Sequence, residues 1–221
     1  MIEHSAEWLG KQLRCPSGKE AKEIGENMFQ SNHNMILESI NHLALSSDTH
    51  ILEIGFGNAK HLSYLFNKEK QLKYYGIDIS KEMVDEAEKN NDSFVRNEKA
   101  VFQQVCGNGL LSFENETFHS CFTINTIYFW QNPQFHFDEI YRVLKEKGLF
   151  VISFIEQSFG QRLPFTQKDF IFYEIDTVEA FLHRSGFQQI ETYQLVEDAI
   201  SKNGQKVIRP FVIMTATKNT N

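Results

Sequence analysis

The stretch His50-Ile-Leu-Glu-Ile-Gly-Phe-Gly-Asn58 decides the fold that this sequence predicts. The apolar run Ile51–Ile54, which carries the single acid Glu53, is typical of a strand that is buried on both faces. Gly55 and Gly57 follow directly and predict a turn at which a ligand can approach the backbone. A helical pattern comes next, over residues 58–66, so the stretch predicts a strand, a glycine turn and a helix.

A second acid follows a second apolar run some twenty residues later. The run Tyr74-Tyr75-Gly76-Ile77 ends in Asp78. Because ligands of α/β sheets bind outside the carboxyl ends of neighbouring strands, Glu53 and Asp78 together predict a nucleoside-like cofactor lying across two strand ends.

The glycine turn matches neither of the common phosphate-binding loops. Lys60 stands where a G-x-G-x-x-G loop needs its third glycine, and no Walker A run occurs in the sequence. The turn also carries no basic residue to bind a pyrophosphate. A cofactor with a cationic amino-acid end and a neutral ribose therefore fits better than one with phosphates.

Strand and helix patterns alternate from residue 50 to residue 187, which predicts a parallel sheet with helices on both faces. The predicted strands are residues 50–54, 73–77, 99–105, 119–127, 149–155, 188–196 and 206–217. Ser80 and Pro133 mark the starts of two helices, and Lys145–Gly148 ends the second of them before the fifth strand. A further helix covers residues 177–183. A tight turn at Asn203-Gly204 would make one strand antiparallel. We predict an α/β, doubly wound, seven-stranded and mostly parallel Rossmann-like sheet.

Two segments lie outside this alternation. Residues 1–48 predict a helical extension with a break at Pro16-Ser17-Gly18, in front of a domain of residues 49–221. Ser17 and Glu20 have the spacing of a capping box. The extension either packs on the sheet or forms a lid over a substrate pocket. Residues 156–175 have no clear period but hold five aromatic residues, and loops of this length in a compact domain are usually functional.

Composition excludes several classes of protein. The 221 residues carry a net charge of −7 and no long basic run, which argues against a nucleic-acid partner. Three cysteines without paired spacing argue for a reducing compartment and against a zinc site. We see neither a signal peptide nor an apolar stretch of about 18 residues. We expect a cytoplasmic monomer or homodimer without a metal or integral membrane association.

Four motifs in the right order resemble those of a known family. Leu52–Gly57 resembles the first motif of the class I S-adenosylmethionine-dependent methyltransferases, and Gly76–Ser80 resembles the second. The stretches Asn115–Phe118 and Thr123–Trp130 resemble the fourth-strand region of the small-molecule branch that includes the ubiquinone and menaquinone methyltransferases. Arg142–Gly148 is similar to the helix-to-strand junction that follows. The resemblance covers residues 45 to 155.

The resemblance implies S-adenosylmethionine as the cofactor, bound by Glu53, Gly55, Gly57, Asn58, Asp78, Ile79, Asn108 and Asn125. Glu53 and the two glycines would line the methionine end. Asp78 would hold the ribose, with Ile79 against the adenine. Asn108 would lie near the adenine amine, although an acid is common there, and Asn125 would face the reacting centre. Each polar residue also has a structural interpretation: a core acid for Glu53, a helix cap for Asp78, and turn residues for the two asparagines.

The implied reaction is an in-line methyl transfer, and alignment of the reactants can contribute roughly 7–11 kcal/mol to such a step. A general base is needed only if the acceptor must first lose a proton, and the candidates are Tyr128, His33 and Tyr173. Tyr128-Phe129-Trp130 could form a pocket for a small apolar or aromatic acceptor. Aromatic rings also attract cations, so an amine remains an alternative. Competing functions are a nicotinamide-dependent oxidoreductase and a cofactor-binding protein without turnover.

Overall fold

The computed structural model describes residues 5–166, 168–200 and 206–219. Its strands are β1 (His50–Ile54), β2 (Lys73–Asp78), β3 (Ala100–Gln104), β4 (Phe118–Ile124), β5 (Leu144–Phe154), β6 (Phe187–Ile200) and β7 (Lys206–Lys218). They form one sheet in the order β3-β2-β1-β4-β5-β7-β6. The neighbours from β3 to β5 are parallel, and β7 runs antiparallel to both β5 and β6. The predicted fold class, with its one antiparallel strand, is confirmed.

Helices precede the first strand and connect most of the others. They are α1 (Ala6–Arg14), α2 (Ala21–Ser31), α3 (His33–Asn41), α4 (Leu62–Lys68), α5 (Lys81–Asn90), α6 (Asp92–Arg96), α7 (Pro133–Val143), α8 (Gln157–Gly160) and α9 (Ile175–Ser185). The two predicted helix starts at Ser80 and Pro133 are confirmed. The Ser80 side chain accepts from the backbone N–H of Met83, Pro133 lies in the first turn of α7, and Gly186 ends α9 in the left-handed conformation.

Several predicted boundaries were wrong. α4 begins at Leu62 rather than at residue 58, because the chain first turns through Ala59 at a φ of 48°. α7 ends at Val143 and β5 begins at Leu144 rather than at residue 149, because Leu144 pairs with Phe118 of β4. β4 ends at Ile124 instead of residue 127.

The predicted capping box at the start of α2 is also wrong. The N-cap of α2 is Glu20, which makes no side-chain capping bond. Ser17 instead bonds to Gln12, which accepts from the Ser17 backbone N–H at 2.9 Å. The turn predicted at Asn203-Gly204 lies outside the described residues, although the antiparallel pairing of β6 with β7 on either side of it is present.

The N-terminal helices pack against the ends of the strands and against α5. The Ser80 hydroxyl donates to the carbonyl of Pro16 at 2.5 Å, and Glu82 accepts from the backbone N–H of Gly18 at 3.0 Å. A Cβ on Gly25 would lie 2.7 Å from the sulfur of Met83, so α2 approaches α5 closely at this glycine. The extension therefore covers the carboxyl ends of the strands, where the glycine turn lies. Its division from residues 49–221 as a separate unit stays a prediction.

Candidate functional site

A cavity of about 940 Å³ lies at the carboxyl ends of β1, β2 and β4. Ligand pockets occupy roughly 300–1,000 Å³, so this cavity is large enough for a nucleoside cofactor together with a small acceptor. Its wall is built from the strand ends, from α1 and α2 of the N-terminal extension, and from the loop between β5 and α9. The sheet thus places the two predicted acids, Glu53 and Asp78, in one cavity.

The glycine turn that the sequence predicted follows β1. Gly55 and Gly57 have φ values of 77° and 58°, which glycine adopts readily. A Cβ on Gly55 would overlap the methyl group of Thr126, which follows β4. The backbone N–H of Gly55 donates to the carbonyl of Ile77 at 2.8 Å, so the turn is joined to the end of β2.

Glu53 is 2% exposed and is held from two sides. Its Oε2 accepts from the Tyr74 hydroxyl and lies 2.8 Å from Nε2 of His61. Burial raises the pKa of Tyr74 well above its ordinary value, so this hydroxyl remains a donor at neutral pH. A buried carboxylate is costly unless it is hydrogen-bonded, and these two partners meet that need while Glu53 still lines the cavity.

Asp78 joins the first two strand ends. One of its oxygens accepts from the backbone N–H of Gly57 at 3.2 Å, and the other accepts from the backbone N–H of Ser80 at 2.9 Å. Burial raises the pKa of Asp78 to about 6, while these N–H bonds oppose the shift. The side chain is therefore mainly a carboxylate at pH 7 and presents only acceptors to the cavity.

A polar network occupies the end of β4. Asn125 has a φ of 57°, a conformation that costs a non-glycine residue about 1–3 kcal/mol and that is common at functional sites. Its amide donates to Oδ1 of Asn32 at 3.2 Å, and its Oδ1 accepts from the Tyr128 hydroxyl at 2.8 Å. The Tyr128 hydroxyl also accepts from the backbone N–H of Ile155. The network joins the N-terminal helices to the strand end beside the cavity.

Comparison with protein families gives a match over the part of the chain that holds the strand ends of this cavity. Residues 52–152 match the family described as "Methyltransferase domain". This stretch of the chain is a methyltransferase domain. The match confirms the resemblance to the class I S-adenosylmethionine-dependent methyltransferases and the enzyme class that it implies. The comparison with curated proteins found no significant match.

Solved structures share the fold at low sequence identity. A chain of the complex between the Haloferax volcanii Trm112 methyltransferase activator and a putative methyltransferase matches at a TM-score of 0.77 and 14% identity, over 89% of this chain and 93% of that one. Haemonchus contortus phosphoethanolamine N-methyltransferase 2 matches at 0.70 and 15%, over 98% and 61%. The [4+2]-cyclase SpnF matches at 0.67 and 15%, over 87% and 82%. These likenesses establish the fold alone.

The three candidate bases of the methyltransferase have different surroundings. Tyr128 lines the cavity, but burial raises its pKa well above the ordinary value, so it is a poor base at neutral pH. His33 is exposed on α3 with its ring edge-on to Phe29. Tyr173 is half-buried with its ring edge-on to Phe181. The structure therefore brings only Tyr128 of these three to the cavity wall.

Of the residues that the resemblance assigns to the cofactor, Asn58 and Ile79 line the cavity, whereas Asn108 is exposed. Oδ1 of Asn108 accepts from the backbone N–H of Leu110 at 3.1 Å, and Gly109 forms the wall beside it. The roles of all three in cofactor binding stay predictions. The geometry favours the turn interpretation for Asn108.

Aromatic rings form the wall beside Tyr128. Phe170 lies 4.7 Å from Phe129 and 5.8 Å from Tyr128, measured between ring centroids, and Phe172 lies 4.7 Å from Tyr128. All four rings line the cavity, as does Trp130. The aromatic loop between β5 and α9 thus meets the segment after β4, which the sequence predicted as a substrate pocket.

Sequence reasoning missed the contribution of the β6–β7 hairpin. Arg209 of β7 lines the cavity and pairs with Glu197 of β6 at 2.6 Å. Its guanidinium also donates to the carbonyl of Ser31 at 2.5 Å, at the end of α2. The sequence carries no local signal for this group, because the register of two antiparallel strands brings these side chains together. His136 of α7 was missed for a similar reason.

Two further observations concern the helices as a group and the histidine near the start of β4. Among the helices of the described residues, none is both long and apolar enough to span a bilayer. His119 accepts from the backbone N–H of His50 at 3.0 Å and lies 3.1 Å from the Lys145 ammonium.

Proposed function

We propose that this methyltransferase binds S-adenosylmethionine across the ends of β1 and β2 and methylates a small, largely apolar or aromatic molecule. The observation that carries the proposal is the continuity of the cavity. The same cavity is lined by Glu53, Gly57 and Asp78 and by the rings of Tyr128 and Phe170. A donor and an acceptor held in one cavity meet the requirement of a transfer that depends on alignment.

The chemistry of the strand ends fits this cofactor. An amino-acid ammonium and two ribose hydroxyls are hydrogen-bond donors, and carboxylates are acceptors. Glu53 and Asp78 would receive these donors, and Gly55 and Gly57 line the same cavity. A structural neighbour, the Haemonchus contortus enzyme, is described in complex with S-adenosylhomocysteine and phosphomonomethylethanolamine, which supports the same cofactor here.

The residues near the reacting centre favour alignment over proton transfer. S-adenosylmethionine, when bound, supplies a methyl group that the acceptor's lone pair takes by in-line displacement, releasing S-adenosylhomocysteine. Tyr128 uses its hydroxyl to hold Asn125, and its raised pKa makes it unsuited to accept a proton. Asn125 and Asn32 are neutral amides. We therefore propose an acceptor whose reacting atom is already nucleophilic, so that the site has only to orient it.

The part of the cavity wall that we propose to contact the methyl acceptor is apolar, with charged side chains on one side. Phe129, Phe170 and Phe172 supply apolar surface, whereas Asp198 and the Arg209–Glu197 pair lie towards the β6–β7 hairpin. Aromatic rings beside an acid also suit a cation. An amine with an apolar body is therefore the second acceptor class to test.

Two measurements test the proposal. Isothermal titration should show binding of S-adenosylmethionine and S-adenosylhomocysteine, and none of NAD. Turnover should then appear with members of an acceptor panel of aromatic and apolar amines, thiols and acids. Binding of NAD in place of the sulfonium cofactor would contradict the proposal. Binding of S-adenosylhomocysteine without turnover across the panel would favour a protein that uses this fold for another purpose, as a shared fold does not imply a shared reaction.

A further inference from the structure

His136 is a buried polar side chain in the cavity wall whose role the sequence did not predict. It belongs to the first turns of α7 and is 6% exposed. Its ring stacks on Trp130 with centroids 4.6 Å apart and an angle of 6° between the planes. Its Nδ1 lies 2.9 Å from the backbone carbonyl of Asn132. The stack and the hydrogen bond together fix the orientation of the ring.

This contact also fixes the tautomer of His136. A carbonyl oxygen can only accept, so Nδ1 carries the hydrogen and Nε2 is left with a free lone pair. Burial lowers the pKa of His136, so the ring is neutral at pH 7. Within the part of the chain that the structure describes, no hydrogen bond reaches Nε2. His136 lines the cavity, so this lone pair is available to accept a hydrogen bond from a donor on a bound ligand.

The ring lies against the turn that follows β3. A Cβ on Gly109 would come within 2.8 Å of Cε1 and Nδ1 of His136, so the imidazole occupies the space beside this glycine. The family resemblance places the adenine amine at this turn. Asn108, the residue predicted to meet that amine, is exposed and already bonds to Leu110. His136 therefore offers, from α7, a further acceptor beside this turn.

We propose that Nε2 of His136 accepts a hydrogen bond from the exocyclic amine of the cofactor's adenine and so selects adenine over other purines. The inference rests on the proposed function, because it assumes that the nucleoside end of the cofactor lies beside Ile79 and Gly109. It assigns to α7 a recognition role that the sequence motifs assign to the turn after β3. His136 is a specificity residue for the cofactor and takes no part in methyl transfer.

The test compares two ligands that differ only at the purine amine. The ligands are S-adenosylhomocysteine and its analogue in which hydrogen replaces the exocyclic amine. One neutral hydrogen bond corresponds to a preference of about 10-fold, which the native chain should show in calorimetric dissociation constants. His136→Phe keeps an aromatic ring on Trp130 but removes the acceptor, so its preference should fall to about 1. Asn108→Ala removes the acceptor that the resemblance assigns to the amine, and we expect this variant to keep the 10-fold preference.

The possible outcomes distinguish a failure of this inference from a failure of the proposed function on which it rests. Failure of the native chain to bind either ligand would contradict the proposed function itself. Binding of S-adenosylhomocysteine with an unchanged preference in His136→Phe, or loss of the preference in Asn108→Ala, would overturn only the inference. If His136→Phe does not fold, the ¹⁵N resonance of His136 Nε2 in the native chain decides. It should shift on addition of S-adenosylhomocysteine and not on addition of the analogue, and an equal response to both would overturn the inference.

Discussion

The carboxylate of Asp78 accepts a hydrogen bond from the backbone N–H of Gly57, 21 residues earlier in the chain, at 3.2 Å. The contact joins the acid that ends β2 to the glycine turn that ends β1. It holds the turn at a positive φ and leaves the carboxylate beside the cavity. Because burial raises the pKa of Asp78 to about 6, both the turn and the predicted ribose site depend on pH.

We expect cofactor affinity to fall as the pH is lowered through 6, since protonated Asp78 loses acceptor capacity towards the ribose hydroxyls. Asp78→Asn should weaken S-adenosylhomocysteine binding at pH 7.5 by about 1.5–3 kcal/mol, the range for hydrogen bonds to a charged group. It should also remove the step near pH 6. Calorimetric titrations between pH 5 and 8 measure both effects.

Asp85→Asn is the matched control, because Asp85 is an exposed acid that pairs with Lys81 on the outer side of α5. Its affinity and pH profile should equal those of the native chain. An unchanged profile in Asp78→Asn would show that Asp78 does not bind the cofactor.

Asp78 should also give the unliganded protein a specific pH dependence of stability. Its pKa is raised from 3.8 to about 6 on folding, so the folded state binds the proton more tightly than the unfolded state does. This contribution to the free energy of unfolding is fully present below pH 3.8 and is lost as the pH rises through 6. A shift of about 2 units corresponds to about 3 kcal/mol. Urea unfolding at pH 4 and pH 7 measures the free energy of unfolding of the native chain and of Asp78→Asn. The value for the native chain minus that for the variant should fall by about this amount between pH 4 and pH 7. A difference that does not change with pH would contradict the prediction.

Gly55→Ala should destabilise the protein more than Gly18→Ala, although the two glycines have nearly equal φ values of 77° and 74°. A Cβ at residue 55 would overlap the methyl group of Thr126, whereas the nearest atom at residue 18 is 3.9 Å away. We expect a cost of about 1–2 kcal/mol for Gly18→Ala from its backbone conformation alone. Overpacking should bring Gly55→Ala to about 2–5 kcal/mol. Equal urea midpoints for the two variants would refute the close approach of the β1 turn to Thr126.

Arg209→Ala should destabilise the protein by about 3–5 kcal/mol, because it leaves the nearly buried Glu197 carboxylate without its partner. The double variant Arg209→Met with Glu197→Leu should recover most of this loss, since it removes both charges. Thermal unfolding of the single and double variants measures the difference. Arg96→Ala, which breaks an exposed pair with Asp92, should cost less than about 1 kcal/mol. A double variant no more stable than Arg209→Ala would contradict the prediction.

Tyr74→Phe should lower the free energy of unfolding by about 1.5–3 kcal/mol, because the fully buried hydroxyl donates to the carboxylate of Glu53. Tyr75→Phe is the control on the same strand. Its ring is half-buried and packs edge-on against Phe113 and Phe118, contacts that phenylalanine keeps. We expect a change within about 0.5 kcal/mol there. Similar denaturant curves for the two variants would show that Tyr74 does not stabilise Glu53.

Much of the glycine turn and the positions of the two acids could be predicted because their signals are local. The run before Gly55, the positive-φ glycines and the acid at Asp78 each depend on a few neighbouring residues, and the structure places all of them as expected. Boundaries were harder to predict where pairing outweighs propensity. Lys145–Gly148 has the basic residues and glycine of a helix end, yet the pairing of Leu144 with Phe118 starts the strand there.

The sequence by itself determined the order of strands and helices, the glycine turn and the two acids, because alternation, caps and positive-φ positions are written in short stretches of chain. Only the tertiary structure decided which side chains complete the cavity. His136 reaches the turn after β3 through the packing of α7, and Arg209 reaches Ser31 through the register of β7 beside β6. Such contacts join residues that are far apart in the chain. The packing of the helices on the sheet determines which residues meet, so no short stretch of sequence predicts these contacts.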